Sequence, residues 1–224
     1  MIQMFVTIYA GFTHAFEADH LLAVSNIVSN RTRVKMAVKD GMYWGLGHTS
    51  TIFLIGILMI LFKAAITPQY FKYFEALVGL MLIVLAIYRL QKYFRAKAIV
   101  VHAHGHPHAG ETHSHVHVHL QKTDKHEHPH SLAYGVGLVH GLAGSGALIV
   151  VVMSQMKAPA DGLIYLLIFG AGCIGGMVLA AGLFSIPFSR KMMKAKALQT
   201  ILIIISSLLC LLYGGKVIYE NLIS

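Results

Sequence analysis

Four ionisable residues stand within seven positions of an otherwise apolar segment near the amino terminus: His14, Glu17, Asp19 and His20. Inside a membrane each such side chain costs on the order of 2.5–3.5 kcal/mol, so it usually has a function and faces the interior of a helix bundle. Imidazole and carboxylate together suit nickel, cobalt, zinc or manganese better than calcium or magnesium, which prefer oxygen ligands. The cluster therefore predicts a transition-metal site, with structural hydrogen bonds between helices as the alternative.

The spacing of these residues constrains the helix that carries them. His14, Glu17 and His20 follow a three-residue spacing and share one slowly rotating face. Asp19 points about 140° away from His14 in a regular helix. All four converge on one ion only if the helix is distorted at this point or if other helices complete the ligand shell.

Two further histidines lie in apolar segments and are candidate ligands or gates. His48 belongs to the run Gly47–Ser50, and His140 is followed by a run of small residues that lets helices approach closely. The alternative is that each imidazole only donates a hydrogen bond to a neighbouring backbone carbonyl. We predict a metal site made of His14, Asp19, His20, His48, Glu17 and His140.

Composition identifies the elements that must position these residues. The chain has 224 residues, of which 56% are hydrophobic and 12% charged, with a mean hydropathy of +0.66. A soluble domain carries about 25% charged residues, so a soluble enzyme, a nucleic-acid-binding domain and a disulfide scaffold are excluded. Six apolar blocks are long enough to cross a bilayer. They lie at roughly residues 2–29, 41–62, 71–94, 132–156, 162–186 and 198–220. The predicted fold class is an all-α integral membrane protein with six transmembrane helices, the first of them retained rather than cleaved as a signal.

The basic residues predict the orientation of these spans. Six helices place 14 of the 18 lysines and arginines on one side of the membrane. Positive charge collects in the cytoplasm, so we expect both termini to be extracytoplasmic in a multi-pass protein of the cell (inner) membrane. The histidine-rich stretch 102–130 then faces the cytoplasm.

Short motifs recur along the chain and indicate an internal repeat. Gly137 and His140 follow Gly11 and His14 by 126 residues, and the pair Asp161-Gly162 follows Asp40-Gly41 by 121. We predict two inverted three-helix repeats, residues 1–95 and 132–224, joined by a disordered histidine-rich loop at 96–131. Many secondary transporters build a site near the bilayer midplane from such repeats.

The connecting loop holds 11 of the 15 histidines, in alternating runs. Histidine-rich polar tracts of this type bind metal. We expect this loop to capture metal as a buffer, trap or sensor, and we expect transport not to require it.

Several of these motifs resemble those of the nickel/cobalt transporter family. His14, Asp19 and His20 match its H-x4-D-H signature, and Gly47–Ser50 resembles its second motif. The run from His140 to Ala147 is similar to the short, six-helix urease-accessory-type members of the same superfamily. The resemblance covers most of the transmembrane chain and leaves out the loop.

The resemblance implies that His14, Asp19 and His20 select the metal and that His48 neighbours them. The sequence departs from the family pattern at three points. The motif lies in the first span rather than the second, which places the amino terminus outside. Glu17 stands where an aspartate is common, and the loop resembles that of nickel/cobalt exporters.

The sequence thus predicts a secondary transporter, not an enzyme, that moves Ni²⁺ or Co²⁺ through an intramembrane His/Asp site, with uptake favoured. No prosthetic group and no nucleic-acid partner are expected. The expected partners are divalent metal ions, the lipid bilayer and a cytoplasmic metallochaperone. The alternatives are an efflux permease whose loop collects metal, a membrane metal sensor or chaperone, and a b-type cytochrome with facing histidines as axial ligands.

Overall fold

A computed structural model of the protein describes residues 2–29, 31, 33–62, 70–97, 100–108, 111–119, 130–143, 159–189 and 196–223. Seven α-helices and one β-hairpin make up these ranges. The helices are α1 (Ile2–His14), α2 (Ala18–Val28), α3 (Val34–Phe62), α4 (Phe71–Lys97), α5 (Ser131–Ala143), α6 (Pro159–Ser185) and α7 (Lys196–Leu222). The hairpin strands are β1 (Val100–His108) and β2 (Glu111–His119).

Four of these helices, α3, α4, α6 and α7, are long and apolar enough to cross a membrane. Their outer faces carry exposed aliphatic side chains such as Leu61, Leu80 and Leu212, as helices surrounded by lipid do. The fold is therefore an all-helical membrane bundle. The fourth predicted span is described only as far as α5, because residues 144–158 lie outside the described ranges.

The first predicted span, expected as one helix over 2–29, is instead two helices with a break. The amide of Phe16 donates to the carbonyl of Thr13 at 2.9 Å, and that of Glu17 donates to His14 at 3.1 Å, so the last turn of α1 tightens. Glu17 then adopts an extended conformation with ψ 157° and precedes α2. Irregular backbone at membrane depth is tolerated only where protein or a cavity surrounds it. Here protein surrounds the break, because His14 and His20 on either side of it are buried.

The bundle is held together by close helix contacts at glycines. Helix α3 packs against α5 and α6, α1 packs against α6, and α4 packs against α7. A Cβ atom on Gly11 of α1 would overlap the carbonyl oxygen of Phe169 in α6, and one on Gly137 of α5 would overlap that of Trp44 in α3. These helix backbones therefore touch directly.

A buried ionic cluster lies where α3 begins. Arg31 donates to both carboxylate oxygens of Asp40, at 2.5 and 2.9 Å, and Asp40 is 1% exposed. The Nδ1 atom of His130 lies 2.8 Å from the Oδ1 atom of the same carboxylate, and its ring stacks on Tyr43. The last histidine of the histidine-rich loop is thus fixed to the bundle.

The histidine-rich loop contains the antiparallel hairpin. Its register pairs three histidines of β1 with three of β2: His102 with His117, His104 with His115, and His106 with His113. Histidines at alternate positions match the period of a strand; the disorder of the loop as a whole stays a prediction. His126 and His128 lie outside the described residues.

Candidate metal centre

Four histidine side chains meet at the break between α1 and α2. His14 ends α1, His20 lies in the first turn of α2, His48 lies in the middle of α3, and His140 lies in the last turn of α5. The ring centroid of His20 is 4.7 Å from that of His14, 5.4 Å from that of His48 and 4.5 Å from that of His140. His14 is 8% exposed and the other three are fully buried. The structure thus brings together the four histidines that the sequence singled out.

Two carboxylates hold two of these imidazoles by the same ring atom. The Nδ1 atom of His14 lies 2.9 Å from Oε1 of Glu17, and the Nδ1 atom of His20 lies 3.0 Å from Oδ1 of Asp19. A carboxylate at one ring nitrogen fixes the tautomer and directs the lone pair of the other nitrogen outward, as it does for many metal-ligating histidines. In both rings the nitrogen left for an ion is Nε2.

The two carboxylates differ in their surroundings. Asp19 is 17% exposed; its Oδ1 also accepts the backbone N–H of His20, and its Oδ2 lies 3.7 Å from Nε2 of His140. Glu17 is 56% exposed and bonds to His14. The sequence placed both in one ligand set, whereas the geometry places Asp19 among the histidines and Glu17 behind His14.

The cluster contains every buried side-chain nitrogen without a hydrogen-bond partner in the described part of the chain. Buried polar atoms are rarely left without partners. A neutral imidazole has one lone pair, and several such rings packed against one another without hydrogen-bond acceptors or donors between them suit a cation. The unpartnered atoms are Nε2 of His14, Nε2 of His20, both ring nitrogens of His48, both of His140, and Nε1 of Trp44.

The break adds favourable electrostatics for a cation. Helix α1 ends at the cluster, so the partial negative charge of its carboxyl terminus lies near the imidazoles. Helix α2 begins there, and its positive end is opposed by Asp19 in its first turn. The helix is therefore distorted here, which is one of the two conditions named for convergence, and the break lets His14, Asp19 and His20 face one centre.

Two aromatic residues of the site were not predicted. Trp44, 1% exposed, lies with its ring centroid 5.5 Å from that of His20 and 5.7 Å from that of His140. Phe169 of α6 contacts His14 at 5.6 Å between centroids. Trp44 stands four residues before His48 and so shares its helix face, which is a signal that the sequence did carry. For Phe169 only the fold brings it close.

Comparison with known proteins identifies the family to which this chain belongs. The family described as the cytochrome c biogenesis protein transmembrane region matches residues 11–215. The chain belongs to this family. Among curated proteins, the urease accessory protein UreH of Bacillus sp. (strain TB-90) is 33% identical over 186 residues, which cover 83% of this chain and 77% of that protein. No solved structure matches the chain.

The cytochrome c biogenesis transmembrane family is not the nickel/cobalt transporter family that the motifs resemble. The similarity to UreH agrees with the narrower resemblance to urease-accessory-type members. The family match runs from Gly11 almost to the end of α7, so it includes the break, His48 and His140. The chain's two cysteines, Cys173 in α6 and Cys210 in α7, are buried free thiols.

Proposed function

We propose that this protein is a secondary transporter that carries a divalent transition metal, Ni²⁺ or Co²⁺, across the cell membrane. The observation that carries this proposal is the set of four buried imidazoles with unpartnered nitrogens at a helix break. The similarity to a urease accessory protein and the motifs shared with nickel/cobalt permeases support the choice of metal. In this proposal the ligands are His14, His20, His48, His140 and Asp19, and Glu17 orients His14.

The donor set favours a first-row transition metal. Imidazole nitrogen suits nickel, cobalt, zinc and copper, whereas calcium and magnesium require oxygen. Asp19 supplies one negative charge close to the ion, which a divalent cation needs in a low-dielectric interior. A haem is disfavoured because neighbouring histidine rings of the cluster lie only 4.5–5.4 Å apart, centroid to centroid, which leaves no gap for a macrocycle.

The proposed mechanism relies on two inverted three-helix repeats, residues 1–95 and 132–224. The close contact of Gly11 with Phe169 corresponds to that of Gly137 with Trp44 after shifts of 126 and 125 residues. Likewise, Gly172 meets Ile8, and Gly47 meets Tyr134, at the same shifts. These equivalent contacts, at an offset of 125 or 126 residues, support a pseudo-twofold arrangement in which the packing of α1 on α6 corresponds to that of α5 on α3. Rocking of such halves about a central site provides alternating access.

Orientation and direction complete the proposal. Both termini are extracytoplasmic in the inner membrane, and the histidine-rich loop is cytoplasmic, where it captures metal and hands it to a metallochaperone. Uptake is the proposed direction because of the urease-accessory similarity. Efflux is the second direction, and the cytoplasmic histidine loop is the feature that favours it.

Metal flux into proteoliposomes tests the function. Full-length protein is compared with His14→Ala, with Asp19→Asn and with a chain lacking residues 102–128, which keeps His130 on Asp40, using Ni²⁺, Co²⁺, Zn²⁺ and Mn²⁺. Glu220→Gln is the matched control, because it neutralises an exposed carboxylate that pairs only with Lys216 at the end of α7.

We expect Ni²⁺ and Co²⁺ flux to persist in the control and in the loop deletion, and to fall at least tenfold in both site variants. A wild-type chain that binds these metals but moves none of them contradicts transport and leaves the sensor alternative.

A further inference from the structure

The donor atoms of the metal centre form two overlapping sets rather than one. His14, His20 and His48 offer nitrogens that all lie within 4.8 Å of one another. Asp19, His20 and His140 form a second set by the same measure. His20 is the member that the two sets share, and the described residues contain no other set of this kind.

The size of a coordination sphere makes this division meaningful. Two ligands of one ion lie at most about 4.2 Å apart, which is twice a metal–nitrogen bond of about 2.1 Å. Each set needs only a small closure to meet that limit. His140 does not lie within 4.8 Å of both His14 and His48, so one ion cannot take all of these groups without a larger movement.

We propose that the centre holds two ion positions that share His20 and are occupied in turn; this rests on the transport function proposed above. The first position consists of His14, His20 and His48. The second consists of His20, Asp19 and His140. A neutral imidazole offers only one lone pair. His20 presents Nε2 to the first position while its Nδ1 is bonded to Asp19, and it presents Nδ1 to the second position once that hydrogen bond opens, so the two positions exclude each other.

The second position gains a charged ligand in exchange for the hydrogen bond between Asp19 and Nδ1 of His20. Asp19 uses Oδ1 for both the ring and the backbone N–H of His20, while Oδ2 faces His140 at 3.7 Å. An ion that moves from the first position thus exchanges two neutral imidazoles for a carboxylate and a third imidazole. Its ligands then come from α2 and α5 instead of from α1, α2 and α3. The ion thereby crosses from one proposed repeat to the interface of both.

Trp44 provides a reporter of this transfer. It is the chain's only tryptophan, and its indole lies within 5.7 Å of His20 and His140, centroid to centroid. Open-shell Co²⁺ and Ni²⁺ quench indole emission at short range. Quenching of Trp44 therefore reads the occupancy of the centre, and most strongly that of the second position.

The test is a Co²⁺ titration of the detergent-purified full-length protein, followed by Trp44 fluorescence and by equilibrium dialysis. The variants are His48→Ala, which removes a ligand of the first position, His140→Ala, which removes one of the second, and His20→Ala, which removes the shared ligand. His48→Gln and His140→Gln keep the side-chain volume in case the alanine variants do not fold. Ser50→Ala, an exposed hydroxyl two residues from His48, is the control. Each titration is repeated with the histidines at 102–128 replaced by glutamine, so that metal on the loop is subtracted.

Two overlapping positions predict that His48→Ala and His140→Ala each still bind one Co²⁺ with at most about a tenfold loss of affinity. His140→Ala shows the weaker quenching, and His20→Ala loses more than a hundredfold in affinity. Both single variants lose flux, because the transfer is interrupted. Equal, severe loss of binding in all three variants overturns the proposal in favour of a single five-ligand site. The transport function still stands after that result if the wild type moves Co²⁺. Binding as predicted with no wild-type flux instead contradicts the transport function alone.

Discussion

The carboxylate of Asp19 holds the imidazole of His20 through Nδ1, at 3.0 Å, although the two residues are adjacent in the chain. Adjacent residues of a helix normally point about 100° apart. The contact is possible here because Asp19 lies in the first turn of α2, next to the break. The pair forms one unit in which the carboxylate is fixed and Nε2 of the ring faces the other histidines.

Glu17 is expected to act through His14 rather than as a ligand. Glutamine at position 17 keeps an oxygen that accepts from Nδ1 of His14, so Glu17→Gln should retain Ni²⁺ flux within about threefold. Glu17→Ala removes that partner and should weaken metal binding by about 10–100-fold, the usual cost of losing a carboxylate behind a metal-bound histidine. The KM and Vmax of proteoliposome flux are the measurement. A Glu17→Gln variant as inactive as Glu17→Ala would make Glu17 a direct ligand.

The contact between α5 and α3 is expected to position His140. Gly137→Ala places a methyl group against the Trp44 carbonyl, which should separate the helices, cost about 1–3 kcal/mol of stability and lower Ni²⁺ flux severalfold or more. Gly135→Ala is the matched control, because nothing lies within 4 Å of a Cβ there. Thermal unfolding in detergent and flux are measured together. Equal behaviour of the two variants contradicts this role for the contact.

The hairpin register predicts how the loop captures metal. Cross-strand partners in an antiparallel ladder are about 5 Å apart at Cβ, so each histidine pair is a candidate metal site. Replacing His104 and His115 by alanine removes one pair, whereas replacing His104 and His113 breaks two pairs with the same number of histidines lost.

The difference in bound Ni²⁺ between these two double variants is the readout, measured by dialysis on the full chain with His20→Ala to silence the bundle site. We expect the first variant to retain more Ni²⁺ than the second by about one equivalent. Equal retention means that the histidines bind metal independently of the register.

The family's description as a cytochrome c biogenesis region raises the question of whether this protein carries out redox chemistry, and its two thiols allow a test. Cys173 and Cys210 are buried in different helices, and neither belongs to the metal sets. We expect a Cys173→Ala, Cys210→Ala double variant to transport Ni²⁺ at a rate within about twofold of wild type. Loss of flux with metal binding intact, in a folded variant, would assign the thiols a part in the activity.

Much of the site followed from residue type and depth alone. Charged groups in an apolar span have few roles, so His14, Asp19 and His20 were identifiable before the fold was known. The angle between Asp19 and His14 also showed that convergence needed either a distorted helix or ligands from other helices, although it did not show which, or where the helix would break.

Other features depend on tertiary structure. Trp44 shares a helix face with His48 in the sequence, but its contacts with His20 and His140 come only from the packing of α2 and α5 around it. Glu17 carries a carboxylate that suits a metal ligand and shares a face with His14, and only the structure shows that it bonds to that imidazole and is 56% exposed. In the loop, the composition predicts disorder, whereas the alternation of His102 to His108 matches the period of a strand, and residue types alone do not separate the two.

The unpartnered nitrogens around His48 have an energetic consequence for the empty protein. A buried donor or acceptor without a partner costs about 1–3 kcal/mol, and this centre contains seven such atoms. A ligand that binds only the folded state stabilises it by mass action, so the apparent melting temperature should rise with metal supply. The metal-free form is then the least stable form of the bundle. In the transport function proposed above, this lower stability of the metal-free form lowers the barrier to the opening through which the protein takes up its next ion.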